Sequence, residues 1–181
     1  MRSAKTASRP SAGPKGAGMA VLMLLLLLTG CARYRLEAPP FPAETGEAIV
    51  VVPLANATTT PYAGRSAQAM VAALLQEKGF RVLLPPDSDR LPPPVGAPKI
   101  LPEKAVSWAR SQGARYLLGG TVVEWRYKVG LEGMPTAALV LVLYELRGER
   151  LVPVWQATLS GIGHGRMGLG LLVQNLLESL L

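Results

Sequence analysis

Tyr116-Leu-Leu-Gly-Gly-Thr-Val-Val-Glu-Trp-Arg-Tyr-Lys-Val129 changes character part-way along. Beyond Thr121, the apolar side chains of Val123, Trp125, Tyr127 and Val129 alternate with Glu124, Arg126 and Lys128. A period of two puts one set on each face of a β-strand, so this strand has an apolar side and a wet one. Gly119-Gly120 interrupts it at a point suited to a β-bulge.

Working outward, residues 130–135 hold Gly130, Gly133 and Pro135 and make a turn. Residues 137–146 are nearly all apolar, which is the pattern of a strand lying centrally in a sheet. Arg147-Gly-Glu149 turns the chain into another strand over 151–159. Gly161, Gly163, Gly165 and Gly168 form a pliant loop, after which Leu169, Leu172, Val173, Leu176, Leu177 and Leu180 recur at helical spacing. On the upstream side, Pro102 starts a helix that runs through Gln112 and is closed by Gly113. Residues 85–98, rich in proline, are a surface loop, and Phe80-Arg-Val-Leu-Leu84 is a strand. Ala67, Met70, Val71, Leu74 and Leu75 mark a further helix stopped by Gly79, and Ala48-Ile-Val-Val-Val52 is a strand covered on both faces. The order is β-α-β-α-β-β-β-α. It describes an α/β (α+β) sandwich, a mixed five-stranded sheet with three helices packed on it, as a single domain over 47–181.

The N-terminal residues set the address. Arg2, Lys5, Arg9 and Lys15 precede an apolar run over 19–28, which leads into Thr29-Gly-Cys31. This is a secretory signal in three regions. A membrane span needs about 20 predominantly apolar residues; the run is too short and Arg33 and Arg35 follow at once, so it reads as a cleaved signal over 1–30. Leu28-Thr-Gly-Cys31 resembles the lipobox of lipoprotein signal peptidases, which implies a lipidated Cys31 carrying several acyl chains and a stable membrane anchor. Ala32 after the cysteine points to the outer membrane by analogy with enterobacterial sorting. Residues 31–46 then read as the lipidated cysteine and a flexible tether, since 32–46 mix charge with Pro39, Pro40, Pro42 and Gly46 and show no period. Arg33 and Arg35 favour anionic headgroups.

Without residues 1–30, the chain keeps 15 basic side chains against 12 acidic, a net charge of about +3. The basic residues are scattered, and export removes the chain from nucleic acid, so nucleic-acid binding has no support. Gly163-His-Gly165-Arg-Met-Gly168 satisfies G-x-G-x-x-G, but the second strand and acidic residue that a dinucleotide site requires cannot follow in the residues left. His164 is the only histidine and Cys31 the only cysteine. A zinc site and a Ser-His or Cys-His nucleophile both lack their ligands or partners, and no cofactor motif is complete. Glu124 and Glu132 are the only clustered carboxylates that could act on a sugar, and a solvated edge is the plainer reading of each. An enzyme is not expected. Trp108, Trp125 and Trp155 are either core residues or, at an exposed position, headgroup contacts; Trp155, in Val152-Pro-Val-Trp-Gln156, is the candidate for the membrane-facing role.

Several segments together carry a resemblance. They are the lipobox, Ile49-Val-Val-Val-Pro-Leu-Ala-Asn56, Tyr62-Ala-Gly-Arg65 opening a helix, Ala114-Arg-Tyr-Leu-Leu-Gly-Gly-Thr121, and Val154-Trp155 before a glycine-rich segment. With these the chain resembles the CsgG, LpoB and TolB-amino-domain group of envelope proteins. Trp108-Ala-Arg-Ser-Gln-Gly-Ala-Arg-Tyr116 and Val123-Glu-Trp-Arg-Tyr-Lys-Val-Gly-Leu-Glu-Gly-Met-Pro135 are similar to the PelC family of outer-membrane lipoproteins. That resemblance implies a non-enzymatic homo-oligomeric ring on the periplasmic face of the outer membrane, aligned with the β-barrel exporter PelB. It also implies an acidic funnel toward the cationic Pel polysaccharide of the biofilm matrix. Glu124 and Glu132 fall in the matching segment and are the candidates to guide polymer, with Glu145, Glu149 and Glu178 as alternatives. An LpoB-like activator of a peptidoglycan synthase is the other reading; it shares fold and anchor but acts as a monomer.

Overall fold

The computed structural model describes residues 33–86, 101–127, 133–164 and 167–180. Ten elements follow in order: β1 (Arg33–Glu37), β2 (Ala48–Val51), β3 (Ala55–Asn56), α1 (Ala63–Glu77), β4 (Arg81–Leu83), α2 (Glu103–Ser111), β5 (Tyr116–Tyr127), β6 (Pro135–Arg147), β7 (Arg150–Ile162) and α3 (Leu169–Glu178). The mixed α+β class and the three helices agree with the expectation. The sheet has seven strands rather than five, in the order β1-β7-β6-β5-β2-β4 with β3 beside β5. Strands β2, β3, β4 and β5 pair in parallel, whereas β5, β6, β7 and β1 pair antiparallel.

The two additional strands have different origins. β3 is only two residues long, too short to leave a period in the sequence. β1 corrects the tether. Arg33–Glu37 runs antiparallel to β7, from Arg33 opposite Ile162 to Glu37 opposite Thr158. Phe41 then packs edge-on against Phe80 and Trp155, at 5.6 and 5.0 Å between ring centroids. Apart from Phe80, the partners of this segment are more than 100 residues away along the chain, so no local pattern announces it.

One face of the sheet carries α1 and α3. Ile49, Val51, Leu118, Val122, Trp125, Leu139, Leu141, Leu143, Trp155 and Leu159 meet Ala67, Val71, Leu75, Leu172, Val173 and Leu176 in one buried cluster. Each fully buried Leu contributes about 1.5–3 kcal/mol. Gln68 is buried among them and stays satisfied, because its Nε2 donates to the Val51 carbonyl at 2.8 Å. Among the described residues, α2 covers the other face, where its Ala105, Val106 and Ala109 pack on Ala48, Val50, Val52 and Leu117.

Two glycines allow backbones to approach closely. A Cβ on Gly64 would lie 2.0 Å from the Leu54 carbonyl oxygen, and one on Gly120 would lie 2.1 Å from that of Val140. Gly119-Gly120 is therefore not the bulge. Both glycines stay in register with Val142 and Leu141, and the irregularity lies between Val122 and Glu124. Val123 is the inserted residue; it is 53% exposed, while Trp125 returns to the core face.

Candidate functional site

The sheet has two chemically distinct ends. At the first, Arg33, Ile162, Thr136 and Arg126 form one continuous rung across β1, β7, β6 and β5. The chain beyond this rung is tied inward. The Gly163 N–H donates to the Pro135 carbonyl at 2.8 Å, and the Leu169 N–H donates to the Tyr127 hydroxyl at 3.0 Å. The Thr60 hydroxyl donates to the Trp125 carbonyl, which brings in the loop before α1. These segments leave large apolar side chains in solvent: Tyr62, Val123, Tyr127, Met134 and Leu171 are 41–53% exposed.

Glu124 belongs to this end. It stands opposite Ala138 just after the bulged Val123, and the Arg126 Nε donates to its Oε1 at 2.9 Å. Its intended companion Glu132 lies outside the described residues, as do Cys31 and the signal segment. His164, at the end of β7, is exposed.

At the opposite end, about 30 Å along β6 from Thr136 at the usual strand rise, Glu145 accepts from Arg147 Nε at 2.6 Å and from Arg115 Nε at 3.2 Å. Arg115 also pairs with Glu47, and its guanidinium stands 5.1 Å from the Tyr116 ring centre. The hydrogen bond from Arg147, then that from Arg115, holds the Glu145 carboxyl below its ordinary range against the opposing effect of desolvation. The hydrogen bonds to Glu145 and Glu47 raise Arg115 further, and burial, followed by the Glu47 charge, pushes Tyr116 up. Glu47 and Arg115 are 68 positions apart and meet only because β2 and β5 are neighbours.

Trp155 is not a membrane contact. It is 4% exposed, its indole N–H donates to the Pro39 carbonyl at 2.8 Å, and Phe41 packs against its ring. Trp155 alternates with Ala157 and Leu159, all three on the buried face, and the β6–β7 register shift between Leu143 and Tyr144 leaves Val154 out of the ladder, so Val152 and Val154 do not mark the inward face.

Among the described residues, no three His, Cys, Asp or Glu side chains converge on a possible metal position. No described helix is long and apolar enough to cross a membrane. A shallow groove of about 200 Å³ lies between α1 and α3, lined by Met70, Ala73, Leu74 and Leu177 with Glu77, Gln174 and Glu178.

No family model and no curated protein matches the chain. Solved structures do. The PelC dodecamer from Paraburkholderia phytofirmans is similar at 33% identity and a TM-score of 0.66, over 82% of this chain and 95% of that one. The chain belongs to the PelC family. A second PelC dodecamer structure, of a variant from the same organism, matches at 33% identity over 83% and 95% of the two chains, with a TM-score of 0.63. A lipoprotein from Neisseria meningitidis shares the fold at 20% identity and a TM-score of 0.54, over 74% and 96%. The PelC likeness spans the domain that carries both ends of the sheet, so membership extends beyond any single motif.

Proposed function

We propose that the protein is a non-enzymatic, lipid-anchored member of the PelC family. It forms a ring on the periplasmic face of the outer membrane and assists export of a cationic exopolysaccharide through a β-barrel exporter. The observation that carries this reading is the 33% identity to a PelC dodecamer across 95% of that chain. The lipobox at Cys31 supplies the anchor and the export signal over 1–30 supplies the compartment.

The register of β1 supports an orientation. Cys31 lies two residues before Arg33, at most about 7 Å of extended chain, so the acyl chains attach close to the rung of Arg33, Ile162, Thr136 and Arg126. Tyr127, Met134 and Val123 are exposed at that end and suit the headgroup layer in place of Trp155. A ring turns each Glu124 and Glu132 into a band of charge, which concentrates and steers a cationic chain while each contact stays weak. With a net charge of about +3, the subunit must segregate its charges to present such a band.

Two measurements test the reading. Metabolic labelling with fatty acid and membrane fractionation follow wild type and Cys31→Ala; wild type should carry label and pellet with outer membrane, and the variant should do neither. Native mass measurement follows the mature chain bearing Cys31→Ala. Truncation at residue 46 would strip β1 and Phe41 and is the wrong sample. A closed oligomer is expected. An unlabelled wild type sinks the anchor, and a strictly monomeric domain sinks the ring.

A further inference from the structure

Arginines gather at the end of the sheet farthest from Cys31. Arg81 begins β4, Arg115 precedes β5, Arg147 ends β6 and Arg150 begins β7. The register brings them to one rim, since Arg81 is level with Ala48, Ile49 with Tyr116, Tyr116 with Glu145, and Arg147 with Arg150. Across the neighbouring strands β4, β2, β5, β6 and β7 that rim is roughly 20 Å long. The carboxylates among the arginines are the sheltered half of each pair. The Glu47 and Glu145 side chains are 19% and 13% exposed, whereas those of Arg115 and Arg147 are 57% and 62% exposed. Glu44, before β2, and Glu149, at the tip of the β6–β7 hairpin, are exposed, and Glu149 is taken up by Arg110 at 3.6 Å.

The guanidinium groups exceed what the fold uses. Arg115 and Arg147 share the Glu145 carboxylate, and among the described residues Arg81 and Arg150 have no carboxylate partner. Arg147 and Arg150 stand directly opposite each other as the last pair of the β6–β7 ladder. Like charges in that position repel and destabilise a hairpin, and an anion seated between them would relieve it. The same rim offers a protein partner no anchor. Protein contacts centre on large aromatic and apolar side chains, and none of those that the described residues expose belongs to this end. What fits here is a hydrophilic chain bearing carboxylates, each of which a planar guanidinium takes with two parallel hydrogen bonds. A cationic polysaccharide is repelled at this end.

We propose that this arginine rim binds the carboxylates on the peptide stems of the cell wall. The inference rests on the reading above for placing the domain beneath the outer membrane. With the anchor two residues before β1, the opposite strand ends look away from the bilayer, toward the layer where that polymer lies. The stems repeat along the glycan, so a row of arginines meets a row of carboxylates. Each exposed ion pair is weak and sensitive to salt, and subunits held side by side add their contacts.

The test is cosedimentation of the lipidated protein, in detergent, with purified cell-wall sacculi. Wild type should pellet with intact sacculi at low salt, be released at about 0.5 M salt, and stay in solution with glycan stripped of its stems by an amidase. Arg147→Gln combined with Arg150→Gln should weaken binding about tenfold. Arg150→Gln alone breaks no contact among the described residues and should weaken binding severalfold at an unchanged melting temperature. Lys104→Gln, which removes an exposed charge on α2, should bind as wild type does. Equal binding to stripped glycan, or binding that survives the arginine substitutions, overturns the proposal. Capture by soluble polyglutamate with none by sacculi overturns it in favour of an acidic protein. A wild type that ignores sacculi also overturns it and leaves anchor and ring standing, because fatty-acid labelling and native mass measure those. An unlabelled Cys31 removes the anchor and leaves binding to sacculi measurable in the tube.

Discussion

The indole N–H of Trp155 donates to the backbone carbonyl of Pro39 at 2.8 Å, joining positions 116 residues apart. With Phe41 stacked edge-on beside it, Trp155 clamps the segment after β1 onto the core. Trp155→Ala should therefore destabilise the domain by about 3–5 kcal/mol, read as a shift in the urea midpoint. Trp155→Phe keeps most of the ring contact and should leave vesicle binding of the lipidated protein unchanged. A loss of vesicle binding without loss of stability would return this residue to the membrane.

Gly64 gives a prediction in which two effects have opposite signs. Inside a helix, Gly→Ala ordinarily stabilises by about 1 kcal/mol. Here the new methyl group meets the Leu54 carbonyl oxygen at 2.0 Å, and backbone must move. Overpacking of this kind costs about 1–3 kcal/mol or more. Gly64→Ala should lower the melting temperature, whereas Gly170→Ala in α3, with open space around it, should not.

The Glu145 carboxyl is held below its ordinary value by Arg147 and Arg115. A depressed carboxyl contributes stability above its unfolded pKa and loses it as pH falls through the folded one. Thermal stability of wild type should thus drop below about pH 4.5 more than that of Glu145→Gln, the two curves converging in acid. Parallel curves would show that the Arg115–Glu145–Arg147 network adds nothing.

Charge reversal of Glu124 and Glu132 to Lys should reduce polysaccharide secretion several-fold with normal protein level and normal ring mass. Glu124→Lys also sets a cation beside Arg126, so the single variant should give the larger part of the loss. Normal secretion from the double variant would move the guiding role to Glu145, Glu149 or Glu178.

What could be read from the sequence followed from local pattern. The apolar run of β6, the helical spacing of α1 and α3 and the strand of β2 each announce themselves within about ten residues, and the element order follows from them. The sites were less legible, since bulges and long-range pairing decide them. One inserted residue at Val123 exposes a side chain that alternation buries, and one at Val154 takes Val152 and Val154 out of step with Trp155, which stays buried in line with Ala157 and Leu159. β1 is invisible because its partner, β7, is more than 100 positions away, and the Glu47–Arg115 pair, 68 positions apart, is likewise beyond any local pattern.

Pairing of Arg33–Glu37 with the last strand also sets an order of events. Residue 33 is synthesised more than 100 residues before its partner Ile162. No chain that stops short of β7 can form this pairing, so Arg33–Glu37 lacks its ladder partner until the last strand exists. High contact order slows such closure. The strand next to Cys31 is thereby among the last parts of the sheet to lock.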